Sequence, residues 1–199
     1  MTAAALLILS GLTLTAGGAG ADEHLLAGAQ RFREAHYPEA LVEFRVAQRL
    51  GSGEAARYAA VTLVKLGRAE EAIEAFGGLG GQEPDALIDY HRAVAAFDAR
   101  LYLAADRILA TVADRAGPRV GAEAARMRAE IAATLKAEPA PAAIDLYLRR
   151  CAEQRAQGRP ILAAAYCEEA AGLSARRPDH YRQAEALRGA PATGRGAKP

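Results

Sequence analysis

The sequence predicts an all-α fold made of antiparallel helix pairs, and three observations lead there. The composition is helical: 51% of residues are apolar, mostly Ala and Leu, only 6% are aromatic, and Trp is absent. Sheets draw instead on β-branched and aromatic residues. Gly and Pro recur at intervals that cut the chain into helix-length stretches. Finally, a small residue followed four positions later by a large one recurs in Ala40–Phe44 and Ala72–Phe76, with weaker copies at Ala105–Leu109 and Ala163–Cys167.

Residues 1–21 read as a secretory signal peptide. The apolar run contains Leu6 to Leu9, Leu12 and Leu14, and Ala19-Gly20-Ala21 forms a small-x-small cleavage site before the charged Asp22-Glu23. No Lys or Arg precedes the run, so the leading charge falls to the amino group of Met1 or to an upstream start. The mature chain is therefore expected to begin near Asp22 and to be exported, periplasmic or extracellular. An uncleaved N-terminal anchor is the alternative, and this segment is the one expected route to membrane contact.

Ten helices follow in order. Asp22 is the expected N-cap of the first, which runs to about residue 35. Pro38 suits the first turn of a second helix that reaches about residue 50. Gly51-Ser52-Gly53 breaks the chain, and a third helix covers about 54 to 66. Gly67 is a left-handed stop, and a fourth helix spans about 69 to 76. After Gly77 to Gly81, Pro84 opens a fifth helix to about residue 99. A sixth covers about 101 to 115 and a seventh about 120 to 136, separated by Gly117-Pro118. Pro139 and Pro141 form a linker. An eighth helix covers about 142 to 157, Gly158 stops it, and Pro160 opens a ninth to about residue 175. Pro178 opens a tenth to about residue 188, where Arg182 and Arg188 would make a polar cap. Residues 189–199 have little to bury and are expected to be disordered.

The pairs repeat. Ala40 to Ala72 is 32 residues and Ala72 to Ala105 is 33. Twelve residues before each anchor lies another small residue: Gly28, Ala60, Ala93, and Cys151 before Ala163. Small residues facing each other let two helix backbones approach. The large residue one turn on (Phe44, Phe76 or Leu109) then fills the gap to the next pair. Each pair has an apolar face that it cannot bury alone, so neighbours stack. A plain Ala-rich bundle is the alternative, but it does not require equal spacing.

This pattern resembles the tetratricopeptide repeat (TPR), whose period is near 34 residues. Three units fall in 22–116, an extra helix and Pro linker in 117–141, and a fourth unit with a capping helix in 142–188. The usual Trp is replaced by His24, Ala56 and Asp89, and the usual Tyr by Arg31, Leu63 and Ala96. The last unit pairs either 142–157 with the helix after Gly158, or 120–136 with 142–157. The first register is favoured because Gly158-Arg159-x-x-x-Ala163 copies Gly67-Arg68-x-x-x-Ala72. The resemblance implies a right-handed TPR-like α-solenoid with a concave groove for a peptide or protein. Its lining would include Phe32 and Arg33 of the first unit, Arg57, Val61 and Lys65 of the second, and Tyr90 and Phe97 of the third. Phe32 and Phe97 have the core as an equal alternative.

Little else suggests chemistry. The net charge of +1 exerts no strong pull on nucleic acid. Residues 22–116 carry 11 basic and 15 acidic side chains, and residues 117–199 carry 14 and 9; ordinary solvated arginines or a basic steering patch both account for that. Gly77 to Gly81 follows a helix and lacks the Lys-Ser/Thr of a phosphate loop. The histidines are scattered and no Cys-x-x-Cys occurs, so no metal or cofactor is expected. No nucleophile elbow is present, and neither an enzymatic activity nor a small-molecule substrate is expected. Cys151 and Cys167, the only cysteines, fall on facing sites of the last pair. They are expected either as a disulfide, which export permits, or as two buried thiols. The functional expectation is an envelope scaffold or adaptor that binds a protein segment. The alternative is a structural component of an envelope or outer-membrane assembly that uses the terminal helices.

Overall fold

The computed structural model describes residues 18–79, 85–113, 115–137 and 139–175. Every regular element among them is an α-helix: α1 (Ala19–Arg33), α2 (Tyr37–Arg49), α3 (Gly53–Lys65), α4 (Ala69–Gly77), α5 (Ala86–Asp98), α6 (Tyr102–Ala113), α7 (Pro118–Thr134), α8 (Pro141–Ala156) and α9 (Pro160–Ser174). The signal segment through residue 17, Pro84, the expected tenth helix and the tail lie outside the described residues.

Two local readings are corrected. α1 begins at Ala19 with Gly18 as its N-cap, and Asp22 sits inside the first turn, where its charge favours the helix N-terminus. Ser52 does more than end a helix. Its hydroxyl accepts a hydrogen bond from the amide of Ala55 and caps α3.

The repeat is present in the backbone. Four tight turns join α1 to α2, α3 to α4, α5 to α6 and α8 to α9. Each places one residue in the left-handed region, five positions before its anchor alanine: Ala35 (φ 61), Gly67 (φ 69), Arg100 (φ 62) and Gly158 (φ 72). Each also closes with the same 6→1 hydrogen bond. His36 donates to Arg31 O, Arg68 to Leu63 O, Leu101 to Ala96 O and Arg159 to Gln154 O, all at 2.8–2.9 Å. The α8–α9 pair is thus a fourth copy, in the register that uses Gly158 and Ala163.

The repeated positions form the core. The anchors Ala40, Ala72, Ala105 and Ala163 and the large partners Phe44, Phe76, Leu109 and Cys167 are all buried. Gly28 meets its pair at Phe44 rather than at the anchor. A Cβ there would lie 2.7 Å from the Phe44 ring, so only glycine lets α1 approach α2 this closely. Each of α1 to α6 packs on the helix that follows it, and α3, α5 and α7 also touch along one side.

The last pair leaves this order. α9 lies across α4 and α6, and α8 packs on α9. The close approach uses two glycines: a Cβ on Gly77 would stand 2.5 Å from Ile161, and one on Gly172 would stand 2.5 Å from Leu103. Leu162, Tyr166 and Cys167 join the core cluster built on Ala93, Leu101 and Leu109. Cys151 and Cys167 form a disulfide that fixes α8 to α9, with a Cα–Cα separation of 5.3 Å.

Candidate interaction surfaces

The seven residues expected to line a concave groove divide into two groups. Phe32 and Val61 are only 2% and 0% exposed, and both belong to the first core cluster. They are core residues, not groove residues. Val61 is enclosed because α3 is flanked by α2, α4 and α5, which buries every residue from Tyr58 to Val64, and Phe32 of α1 packs into the same cluster with its ring edge-on to Tyr37 at 5.3 Å. Arg33 is exposed, and Arg57, Lys65, Tyr90 and Phe97 are half-buried. Phe97 packs edge-on against Tyr102 at 5.6 Å. Burial lowers the Lys65 pKa and raises that of the Tyr90 phenol. The structure therefore leaves only a broken line of polar and aromatic side chains on that face.

An open cleft lies on the other side, between α2 and α4. Its volume is about 800 Å³. Ala56, Ala59 and Leu63 of α3 form its floor, Arg45 and Gln48 stand on the α2 wall, and Glu71, Glu74 and Ala75 stand on the α4 wall. The turn at Gly158 and Arg159 closes one end. Arg68 holds Glu71 through two 2.6 Å hydrogen bonds, and Arg45 stands 3.9 Å from the same carboxylate. These bonds hold the Glu71 carboxyl below its ordinary pKa. The cleft thus has an apolar floor and a rim that carries both signs of charge. None of its residues was expected at a site, because the spacing pattern reports only which positions are core.

A second cleft of about 450 Å³ lies where the first turn of α4 meets α8 and α9. Glu70 is its centre. It accepts from the Tyr166 hydroxyl at 2.6 Å and stands 3.6 Å from Arg159 and 3.9 Å from Arg150. This network ties the last pair to α4, so its charges are mostly committed to one another.

Two carboxylates bridge elements far apart in sequence. Glu74 of α4 accepts from the amide of Leu162 in the first turn of α9 at 2.8 Å. Glu169 of α9 accepts from the amides of Leu103 and Ala104 in the first turn of α6, at 2.8 and 3.2 Å. Each satisfies helix N-terminal donors that would otherwise lack partners.

Among the described residues no group of three or more His, Cys, Asp or Glu side chains is placed to hold a metal ion, and no helix is long and apolar enough to cross a membrane. Comparison with protein-family models, with curated proteins and with solved structures finds no match to this chain.

Proposed function

We propose that the chain is a non-enzymatic interaction scaffold of the cell envelope, a right-handed TPR-like stack of helix pairs that binds a protein or peptide segment. The observation that carries this reading is the open α2/α4 cleft, with its floor of Ala56, Ala59 and Leu63 and its charged rim. A small-residue floor admits close approach of another chain, and a rim of both signs fixes its register. The repeated turns support the reading as well, since stacked pairs offer extended binding surfaces. The leader-like N-terminus supports placement outside the cytoplasm.

Capture of partners from an envelope extract tests the proposal. Wild type is compared with Ala75→Trp, which fills the cleft, and with Arg57→Glu/Lys65→Glu on the opposite face. The expected result is that Ala75→Trp loses partners that the double variant retains. Equal recovery by all three proteins overturns the scaffold reading for both faces.

A further inference from the structure

We infer that the α8–α9 pair is a redox-sensitive clasp. With Cys151 and Cys167 bonded, α8 is held on α9; with the bond reduced, α8 swings away about Gly158 and uncovers an apolar strip of α9. The inference is independent of the partner that the scaffold takes.

The repeat shows what the bond replaces. In the first three pairs a small residue on the first helix is matched, 16 positions on, by a large one: Gly28 with Phe44, Ala60 with Phe76 and Ala93 with Leu109. The Phe44 ring lies against Gly28. Ala60 and Phe76 share the first core cluster, and Ala93 and Leu109 share the second. At the same spacing of 16 the fourth pair has Cys151 and Cys167. Once reduced, two thiols supply neither a covalent link nor the contact area of a Phe or Leu side chain. Of the four pairs, this one alone depends on oxidation for its central contact.

Little else holds α8. Its buried residues are Ile144, Leu148, Cys151 and Gln154. Gln154 weakens the contact, because its Oε1 has no partner among the described residues and gains water when α8 lifts. α9 is the helix that α8 packs against. Beyond α9, the Tyr147 hydroxyl donates to Arg100 O at 2.7 Å, and Arg150 stands 3.9 Å from Glu70. The connecting turn has room to move: Gly158 holds φ 72, and nothing lies within 4 Å of where its Cβ would stand. α9 itself stays in place, tied to α4 through Glu74 and to α6 through Glu169. Lifting α8 therefore uncovers Cys167, together with Ala170, Ala171 and Leu173, which share a cluster with Ile144 and Leu148.

The switching reaction is exchange with a dithiol reductant. A thiolate of the dithiol attacks one sulfur of the pair and the other leaves as a thiolate. The second thiol of the dithiol then resolves the mixed disulfide. Two electrons and two protons pass to the chain, which ends with two thiols, while the dithiol ends as a disulfide. Arg155 Nη2 stands 3.9 Å from Cys167 Sγ and favours Cys167 as the departing thiolate. Both sulfurs are buried, so the pair must part before a reductant enters. Reduction is gated by the same opening that it promotes.

Amide hydrogen exchange of the full chain, oxidised and after reduction with dithiothreitol, tests the clasp. The quantity read is the exchange of residues 144–154 of α8 relative to residues 58–64 of α3, each corrected for its intrinsic rate. A general loss of stability speeds both and leaves the ratio alone, whereas a local opening raises it. Reduction is expected to raise the ratio at least tenfold. Cys151→Ala/Cys167→Ala is expected to show the raised ratio under both conditions. Cys151→Ala/Cys167→Leu copies Ala93 and Leu109 and is expected to keep the low ratio under both. A ratio that ignores reduction overturns the inference. An α8 that stays open in Cys151→Ala/Cys167→Leu overturns the equivalence on which it stands. If that variant does not fold, the comparison of oxidised with reduced wild type decides alone.

Discussion

The carboxylate of Glu169 lies 2.8 Å from the backbone amide of Leu103, 66 residues earlier in the chain. The side chain is almost fully buried, and burial raises its pKa above the ordinary 4.5 even though the two amides favour the charged form. Glu169→Ala leaves two helix N-terminal donors unsatisfied and is expected to cost roughly 2 kcal/mol. The folded state binds this proton more tightly than the unfolded chain. Its contribution to stability is therefore fully present below pH 4.5 and is lost as pH rises through the raised folded value. Glu169→Gln removes that slope and keeps one acceptor, so it is expected to cost less than Glu169→Ala. Denaturant titrations across mildly acidic to neutral pH check both statements.

His91 makes the opposite prediction. It is 2% exposed, and neither ring nitrogen has a hydrogen-bond partner. Burial, with the nearby Lys65 charge, pushes its pKa down to about 3. The unfolded chain takes up a proton near pH 6.5 that the folded chain refuses. Stability is then expected to fall by about 1.4 kcal/mol per pH unit between those two values. His91→Leu removes no hydrogen bond and is expected to be neutral or stabilising at pH 7 and to flatten the acid limb. A His91→Leu protein whose stability keeps the wild-type pH slope would refute this.

Much of the fold was legible in the sequence, for a local reason. The anchor spacing, the small residues twelve positions earlier and the turn glycines Gly67 and Gly158 are each decided within one helix pair. Two of the four left-handed turn residues were not legible, because Ala35 and Arg100 adopt positive φ without being glycine. The destination of α9 was not legible either. It rests on Glu74 reaching Leu162 across 88 residues and Glu169 reaching Leu103 across 66, and a carboxylate that caps a distant helix looks in sequence like any solvated one. The expected groove failed at Val61 for a related reason: a periodic pattern marks one buried face, whereas α3 is enclosed on several sides; at Phe32, on α1, the core alternative holds, with the ring packed on Tyr37.

The disulfide offers a stability test confined to the last pair. Cys151 and Cys167 are 16 residues apart and close a short loop. Constraining the unfolded chain by such a loop stabilises by roughly 3 kcal/mol. Reduction, or Cys151→Ala/Cys167→Ala, is expected to lower the unfolding free energy by about that amount while helicity is retained, since Glu74, Glu70 and Leu162 still hold α9 to α4. An unchanged denaturation midpoint on reduction would contradict this.

The glycines under α9 separate tight packing from mere proximity. A Cβ on Gly77 meets three atoms of Ile161, at 2.5, 2.7 and 3.2 Å, whereas a Cβ on Gly172 meets only the tip of Leu103 closer than 3.9 Å. Leu103 can relieve its clash by turning a terminal methyl. Ile161 is β-branched and has few rotamers to choose from, so α9 itself must shift. Gly77→Ala is therefore expected to destabilise by about 1–3 kcal/mol, despite the better helix propensity of alanine, and to weaken the Glu74–Leu162 cap. Gly172→Ala, in the last turn of α9, gains at most about 1 kcal/mol from propensity and is expected to be close to neutral. Amide hydrogen exchange at Leu162 reads the difference directly: faster exchange in Gly77→Ala than in Gly172→Ala is expected, and the reverse order would mean that α9 is not seated on α4 as described.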